Sequence, residues 1–508
     1  MGALFMTRED EHMTHGRHVR VPEPDRKLWL NPVFDRENSA EDHVATAEED
    51  TTEVVAGTRE NPRVMALAEG RTLLIGSPGA HTQDAPDGHH HPQGMVRIKG
   101  GLRIKARGDS GRSGLHPIQF CKIIWMSNST LSRFVNILWP FVIAAIVIHY
   151  TREGQHVLKF SLAYVAMPPC ANLIGFAGQE LAKKIPHMLG VLVETTLGSV
   201  VEIILFLVLL LAHEPQYYVI RAAILGSILA TMLLCLGTVF FTAGIRRKEA
   251  TFDASISEVG SGLLLIAGLG LAIPSIFHRS LVGGELTAEA LNEKTTHLSR
   301  IIAILLIVAY VVFVFFQMRT HHGIYDAVFE HDERRDEDAH KEIRREKLTL
   351  TECVIALIIS IALVTFIAIA LVQEIPYIVH ERGISDPFMG LILVPLVEKA
   401  AEHLTAIDEA WDNQINFALS HCIGSTIQTA MLNAPLVVLV AWGRGLPMSF
   451  SFEIFDIVML LVAIITVGNF LRDQKSDYLE GFLCIIVYVA IAVAAAFYPN
   501  PPEVMAHH

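Results

Sequence analysis

The chain is short of charge: only 18% of its 508 residues are Asp, Glu, Lys or Arg. Cysteine is also sparse. Cys121, Cys170, Cys235, Cys353, Cys422 and Cys484 lie far apart with no CxxC pair, so neither a disulfide framework nor a cysteine-based metal site is expected. A glycine-rich nucleotide loop is missing, which argues against a hydrolase or redox enzyme and makes an ion gradient the expected energy source. The opening MGALFMTREDEH has no apolar core long enough for a signal peptide, and Gly2 lacks the downstream Ser or Thr of a myristoylation site. There is no basic excess either. The formal charge of -13 sits largely in polar segments, such as residues 9–11 and 48–50, and no nucleic-acid partner is expected.

What the chain has is oil. Hydrophobic residues make up 51% of it and the mean hydropathy is +0.40, too apolar for an ordinary soluble protein. Runs of about 18 or more mostly apolar residues, enough to cross a bilayer core of roughly 30 Å, recur through its last three quarters. They fall near 135–150, 156–177, 187–212, 219–243, 258–278, 299–318, 352–373, 387–407, 415–442, 453–471 and 480–498. The expectation is an all-α membrane protein of about 11 transmembrane helices, with the lipid bilayer as its first partner. Residues 1–125 are polar, rich in Gly, Pro and His, and without periodicity, so a disordered cytosolic region is expected there. Within it, His89–His91 is a compositional metal-binding run that more often does nothing specific.

Basic residues recur at nearly every second loop: 97–112 ahead of the first span, then Lys183 and Lys184, 246–248, 319–347, and Arg472 with Lys475, whereas 408–414 has no Lys or Arg. The positive-inside rule then places the N-terminus in the cytosol and, with an odd number of spans, the C-terminus across the membrane.

Two stretches echo one another. GVLVETTLGSVVEII (190–204) carries Glu194 and Glu202, LVPLVEKAAEHL (393–404) carries Glu398 and Glu402, and each is followed by a Gly-Ser pair that opens another span. Glu202 precedes Gly226 by 24 residues and Glu402 precedes Gly424 by 22. Two halves of five spans hold these elements at matching places. Because five is odd, the halves enter the membrane from opposite sides, an inverted repeat of the kind that builds midplane sites in secondary transporters.

GSVVEII, GSILATMLLCLGTVFFTAG (226–244), SRIIAILLIVAYVVFVFFQMRTH (299–321), AAEHLTA and GSTIQTAMLNAPLVVLVAW (424–442) resemble the cation/proton exchangers of the calcium/cation antiporter superfamily. The resemblance implies a leading span with a first repeat (130–318), a charged cytosolic linker (319–351), a second repeat (352–498) and a short tail (499–508). It also implies that Glu202 and Glu402 meet at the centre to bind cation or proton, with oxygen donors from Ser227, Ser425, Thr426 and Gln428. The family's Gly-Asn-x-x-Glu core is altered here. Ser199 replaces the first Asn, Glu398-Lys399 replaces the second Gly-Asn pair, and Glu194 replaces an upstream Asn.

An unpaired charge at the membrane centre costs at least about 2.5 to 3.5 kcal/mol, so such groups face a cavity, a partner or an ion. A buried carboxyl group holds a proton more tightly while a nearby cation displaces it, and that competition is the simplest chemistry of antiport. A purely structural salt bridge is the plainer reading of Glu202 and Glu402. On a helix Glu398 and Glu402 are i,i+4 neighbours and Lys399 and Glu402 are i,i+3 neighbours, so Lys399 serves either as a structural counter-ion or as a gate. His403, beside Glu402, reads either as a proton relay or as a packing hydrogen bond. Ser227, Ser425 and Thr426 could equally serve close helix approach.

Calcium prefers about 6 to 8 hard oxygen ligands. An ammonium in place of an Asn carbonyl removes a donor and adds repulsion. The EKAAEH variant is also similar to the fungal vacuolar branch that exchanges sodium or potassium for protons. Monovalent cation/proton antiport in a vacuolar or other endomembrane is therefore expected. Calcium/proton antiport is the alternative, and a transport-inactive scaffold or sensor of the same fold is a third possibility. No cofactor is implied beyond the transported cation and proton. The linker at 324–347 reads as a solvated amphipathic helix of mixed charge.

Overall fold

A computed structural model of the chain describes residues 95–97, 103–105, 112, 114–126, 129–337 and 345–499. The His89–His91 run lies outside them, as does most of the expected N-terminal disorder. One part of 1–125 is ordered: PIQFCKIIWM forms helix α1 (Pro117–Met126), whose Ile123 is buried with Phe176, Leu348 and Cys353. Its apolar stretch is too short to cross a membrane but long enough to cover a small pocket of core. A short hairpin, β1 (Met95–Arg97) with β2 (Arg103–Lys105), precedes it.

Ten helices among the described residues are long and apolar enough to cross a membrane, and this is an all-α integral membrane fold. They are α2 (Leu131–Thr151), α3 (His156–Ala182), the pair α4 (His187–Gly198) and α5 (Val200–Leu211), α6 (Tyr217–Arg247), α7 (Ala254–Leu281) and α8 (Ala288–Thr320). After the linker helix α9 (His322–Arg335) come α10 (Leu350–Arg382), α13 (Ile415–Gly443), α14 (Ile454–Leu471) and α15 (Tyr478–Phe497). The eighth expected span, near 387–407, is not among these ten and is present as a broken helix. It consists of α11 (386–398), with a π turn at Met389–Leu393, and α12 (Ala400–Trp411). Pro395 and the ionisable cluster that follows it interrupt what would otherwise be a continuous helix.

Sequence fixes the helix ends where it supplies caps. Thr349 and Glu352 form a reciprocal capping box at the start of α10, and Asp253 and Asp477 accept backbone N–H groups at the starts of α7 and α15. These polar caps lie beyond the apolar cores, which is why several helices run past the ends expected from hydropathy.

Burial sorts the helices by layer. In α6 and α13, the two spans opened by the Gly-Ser pairs, 83% and 72% of the most apolar window is buried. In α2 and α8 it is 22%, leaving Ile143, Val308 and Val312 on the outside as lipid-facing groups. The two Gly-Ser helices therefore lie at the centre, and α2 and α8 in the shell. Both central helices contain a π turn, at Ala230–Cys235 and Thr429–Asn433, directly after their Gly-Ser segments. Such turns re-aim side chains and are frequent at functional sites.

The two halves are tied together on one face. Strand β3 (Glu249–Thr251) pairs antiparallel with β4 (Lys475–Asp477), and Arg246 and Arg247 donate to the carbonyls of Trp411 and Ala410 at the end of α12. The linker joins this knot. Glu337 accepts from both arginines, and Arg247, with Arg246, holds its carboxyl below the usual range. Helix α9 buries one face, Tyr325, Val328 and Phe329 together with one charged residue. Asp332 is fully buried, accepting from the Asn416 and Phe417 backbone N–H groups at 2.7 and 3.3 Å and from Asn416 Nδ2 at 2.9 Å, at the start of α13. Burial pushes its carboxyl up, and these donors oppose the shift. Charge counting treats Asp332 as one of several acids, whereas position makes it the cap of another helix.

Candidate ion site

Both acidic helices break at the same place. Ser199 ends α4 and starts α5, and Lys399 ends α11 and starts α12; each has near-helical backbone with ψ close to zero (ψ -8 and -1). Each break precedes its glutamate by three residues, so Glu202 and Glu402 both lie in the first turn of the helix that follows. A helix N-terminus favours negative charge, and here it supports carboxylates in the interior of an apolar bundle.

Lys399 joins the two. Its Nζ stands 2.8 Å from Glu202 Oε2 and 3.1 Å from Glu402 Oε2, and donates to Ser425 Oγ at 3.0 Å. Ser425 in turn donates to Glu402 Oε2. The i,i+3 pair with Glu402 follows from helical spacing; the pair with Glu202, across the halves, does not. Glu202 Oε2 also accepts from Thr429 Oγ1 at 2.8 Å and Asn433 Nδ2 at 2.9 Å, both on the π turn of α13. Thr429 and Asn433 were not singled out from the sequence. Asn433 carries the same signal as Gln428, an amide inside an apolar run, and that rule would have found it.

Several buried polar atoms have no hydrogen-bond partner among the described residues. At this centre they include Glu202 Oε1, both oxygens of Glu398, Ser227 Oγ, Asn433 Oδ1, and Oε1 and Nε2 of Gln428. Ser227 stands beside the Glu398 carboxylate without closing a well-formed hydrogen bond, and Glu398 lies within electrostatic range of Glu202, Lys399 and Glu402. Buried polar groups are rarely left unpaired. A set dominated by oxygens, with two carboxylates in it, has the chemistry of a cation subsite.

The remaining residues lie around this centre. Ser199 Oγ donates to the Thr195 carbonyl, and Thr426 Oγ1 to the Cys422 carbonyl, so both hydroxyls are turned to their own chain. His403 is buried with Nε2 unpartnered among the described residues, within electrostatic range of Lys399. Glu194 is one turn before the first break, near His421. Gly198, at the position matching Glu398, leaves room for the other carboxylate, because a Cβ there would stand 2.8 Å from Glu402 Oε1.

The site is asymmetric in access. The side chain of Glu402 is 17% exposed and those of Glu202 and Lys399 are 1% exposed. Glu402 borders a cleft with Glu194, Thr195, Thr405, His421 and Ser425, between α4, α12 and α13. On the opposite side α11 is pressed against α6, where a Cβ on Gly226 would run into the Leu391 backbone. The matching Gly424 is loose, with Thr195 3.9 Å from such a Cβ.

Two inverted halves, each contributing a broken acidic helix and a Gly-Ser helix, define an integral membrane protein built around one buried charge cluster, with Glu402 bordering a cleft on one side. The sodium/calcium exchanger protein family matches residues 156–319 and 353–497. This chain belongs to that family. It is 32% identical over 392 residues to vacuolar cation/proton exchanger 5 of Arabidopsis thaliana, covering 76% of this chain and 85% of that one. It is 30% identical over 384 residues to the vacuolar calcium ion transporter of Schizosaccharomyces pombe, covering 75% of this chain and 90% of that one. Among solved structures, native YfkE shares the fold with a TM-score of 0.58 at 24% identity, over 74% of this chain and 100% of that one.

Proposed function

We propose that the protein exchanges a monovalent cation, sodium or potassium, for protons across a vacuolar or related internal membrane, with the N-terminus in the cytosol. The observation that carries this reading is the Lys399 ammonium held between Glu202 and Glu402. A calcium ion needs about 6 to 8 oxygens. With Lys399 in place, the inner oxygens of both glutamates and Ser425 are engaged by a resident cation. Lys399 already occupies one oxygen of each of Glu202 and Glu402, so an incoming ion is left the unpaired oxygens around Glu398 and has the ammonium as a neighbour. That ammonium repels a doubly charged ion twice as strongly as a singly charged one at the same distance, which favours the monovalent ion. Proton and metal ion both need the lone pairs of these carboxylates, so each displaces the other, and the charge cluster is carried between two access states.

Calcium/proton exchange is the second reading, favoured by the names of the relatives, among them the calcium ion transporter of Schizosaccharomyces pombe. Reconstituted vesicles under an imposed pH gradient separate the readings. Proton flux driven by sodium or potassium and indifferent to calcium supports the first. The reverse ranking supports the second, and silence with every cation leaves a transport-inactive scaffold. Replacing Glu402 with Gln is expected to abolish exchange while the protein still reaches the membrane, and retained flux in that variant would remove Glu402 from the mechanism.

A further inference from the structure

Three titratable groups outside the Lys399 cluster converge beside the cleft, two of them, Glu194 and His421, lining it. Glu194 of α4, Glu409 of α12 and His421 of α13 each offer one ligand atom, and these atoms lie within 4.8 Å of one another. His421 Nδ1 is 2.7 Å from Glu409 Oε2, a hydrogen bond, while His421 Nε2 is 3.5 Å from Glu194 Oε1, too long for one. Two ligands of a tetrahedral zinc ion at about 2.0 to 2.1 Å stand roughly 3.3 Å apart. The space between Nε2 and Glu194 thus has the width of a shared metal ion. A carboxylate on Nδ1 is also the usual support of a ligating imidazole, since it fixes the tautomer and aims Nε2 outward.

Access agrees with this reading. The three side chains are 13%, 21% and 15% exposed for His421, Glu194 and Glu409, so an ion reaches them without unfolding anything. A cavity of about 40 Å³ joins Glu194 and His421 to Glu402, with room for an ion and water. One imidazole nitrogen with carboxylate oxygens is a donor set for a borderline transition-metal dication and is unlike the all-oxygen surroundings that suit alkali ions or calcium.

We propose that Glu194, His421 and Glu409 form a regulatory site for a transition-metal dication, of which zinc is the probe, and that metal bound there plugs the path to Glu402. Glu194 and His421 ligate the ion and Glu409 orients the imidazole. The metal takes the neutral imidazole, so any proton on His421 is released as the ion binds. Only the plugging half rests on Glu402 being the transport site; the binding half does not.

The test uses the full chain in detergent with His89–His91 replaced by Ala, which removes a competing run. Calorimetric titration with zinc is expected to find one site per chain, weakened at least tenfold by His421→Ala and by Glu409→Gln. Glu409→Gln keeps an acceptor for Nδ1 and so guards against a loss that is only misfolding. Zinc-edge X-ray absorption of the unsubstituted site should show one imidazole among oxygen ligands. Equal zinc binding in both variants, or no binding before substitution, overturns the site. In vesicles, zinc added on the cleft side is expected to inhibit flux, and His421→Ala to raise the inhibitory concentration at least tenfold. Zinc held at His421 with flux unchanged overturns the plug. Absence of flux with every cation speaks against the proposed transport function, and the titration still decides whether the metal site exists.

Discussion

At the scale of single residues, Lys399 decides the character of the central cluster. Buried pairs of this kind are weak evidence for stability, because desolvating both charges offsets most of their attraction, yet removing one partner leaves the other uncompensated. Lys399→Asn should therefore cost stability, about 3 to 5 kcal/mol unless a bound cation replaces the ammonium, and shift selectivity in the protein that still reaches the membrane. It replaces a fixed ammonium between Glu202 and Glu402 with a neutral amide and frees carboxylate oxygens for a doubly charged ion. The expected outcome is a gain of calcium-driven proton flux relative to sodium or potassium, on the order of tenfold, measured as the ratio of initial rates in the same vesicles. An unchanged ratio would separate Lys399 from ion choice. The glutamates and Lys399 were legible from the sequence because ionisable groups in apolar runs stand out. The pairing of Lys399 with Glu202 was not, since i,i+3 spacing speaks only of neighbours on one helix and Glu202 comes from the other half. Thr429 and His421 stayed hidden for a related reason: their roles depend on which helix faces them.

At the scale of elements, two glycines of one motif meet different surroundings. Gly226 lies where α6 and α11 touch backbone to backbone, while Gly424 faces a gap toward α4. Overpacking such a crossing costs typically about 1 to 3 kcal/mol. Gly226→Ala is thus expected to disfavour the arrangement described here, and Gly424→Ala to be accepted in it but to oppose the reverse arrangement, in which the Gly424 crossing tightens. Both should slow exchange, with opposite effects on labelling of a cysteine introduced in the cleft: less for the first, more for the second. The linker helix α9 supports a separate test. Asp332→Asn keeps shape but puts a donor where N–H groups of Asn416 and Phe417 already point. A loss of about 1 to 3 kcal/mol is expected, read as a lower melting temperature of the purified protein, whereas Glu330→Gln on the exposed side of α9 should change nothing measurable. Helix number and order were readable from apolar length. The break in the eighth span was readable only as a crowd of charges, because hydropathy averages over the residue where the backbone turns.

At the scale of the whole molecule, the inverted repeat turns one structure into an expectation about a second. Residues three beyond each glutamate, Leu205 and Thr405, occupy matching places in the two halves. Thr405 lines the cleft, and Leu205 is fully buried. If each half adopts the arrangement now held by the other, the tight crossing at Gly226 opens, the gap at Gly424 closes, and Glu202 takes over the exposure that Glu402 has here. An inverted repeat makes this exchange geometrically available, because both arrangements use the same contacts in mirrored order. A cysteine at Thr405 should then react with a membrane-impermeant thiol reagent from one side only. A cysteine at Leu205 should react from the other side only, and in reciprocal proportion as the pH gradient or cation is varied. The buried native cysteines, Cys170, Cys235, Cys353, Cys422 and Cys484, leave exposed Cys121 as the background to remove first. Labelling of both positions from the same side would rule out alternation by exchange of the two halves, whatever ion is carried.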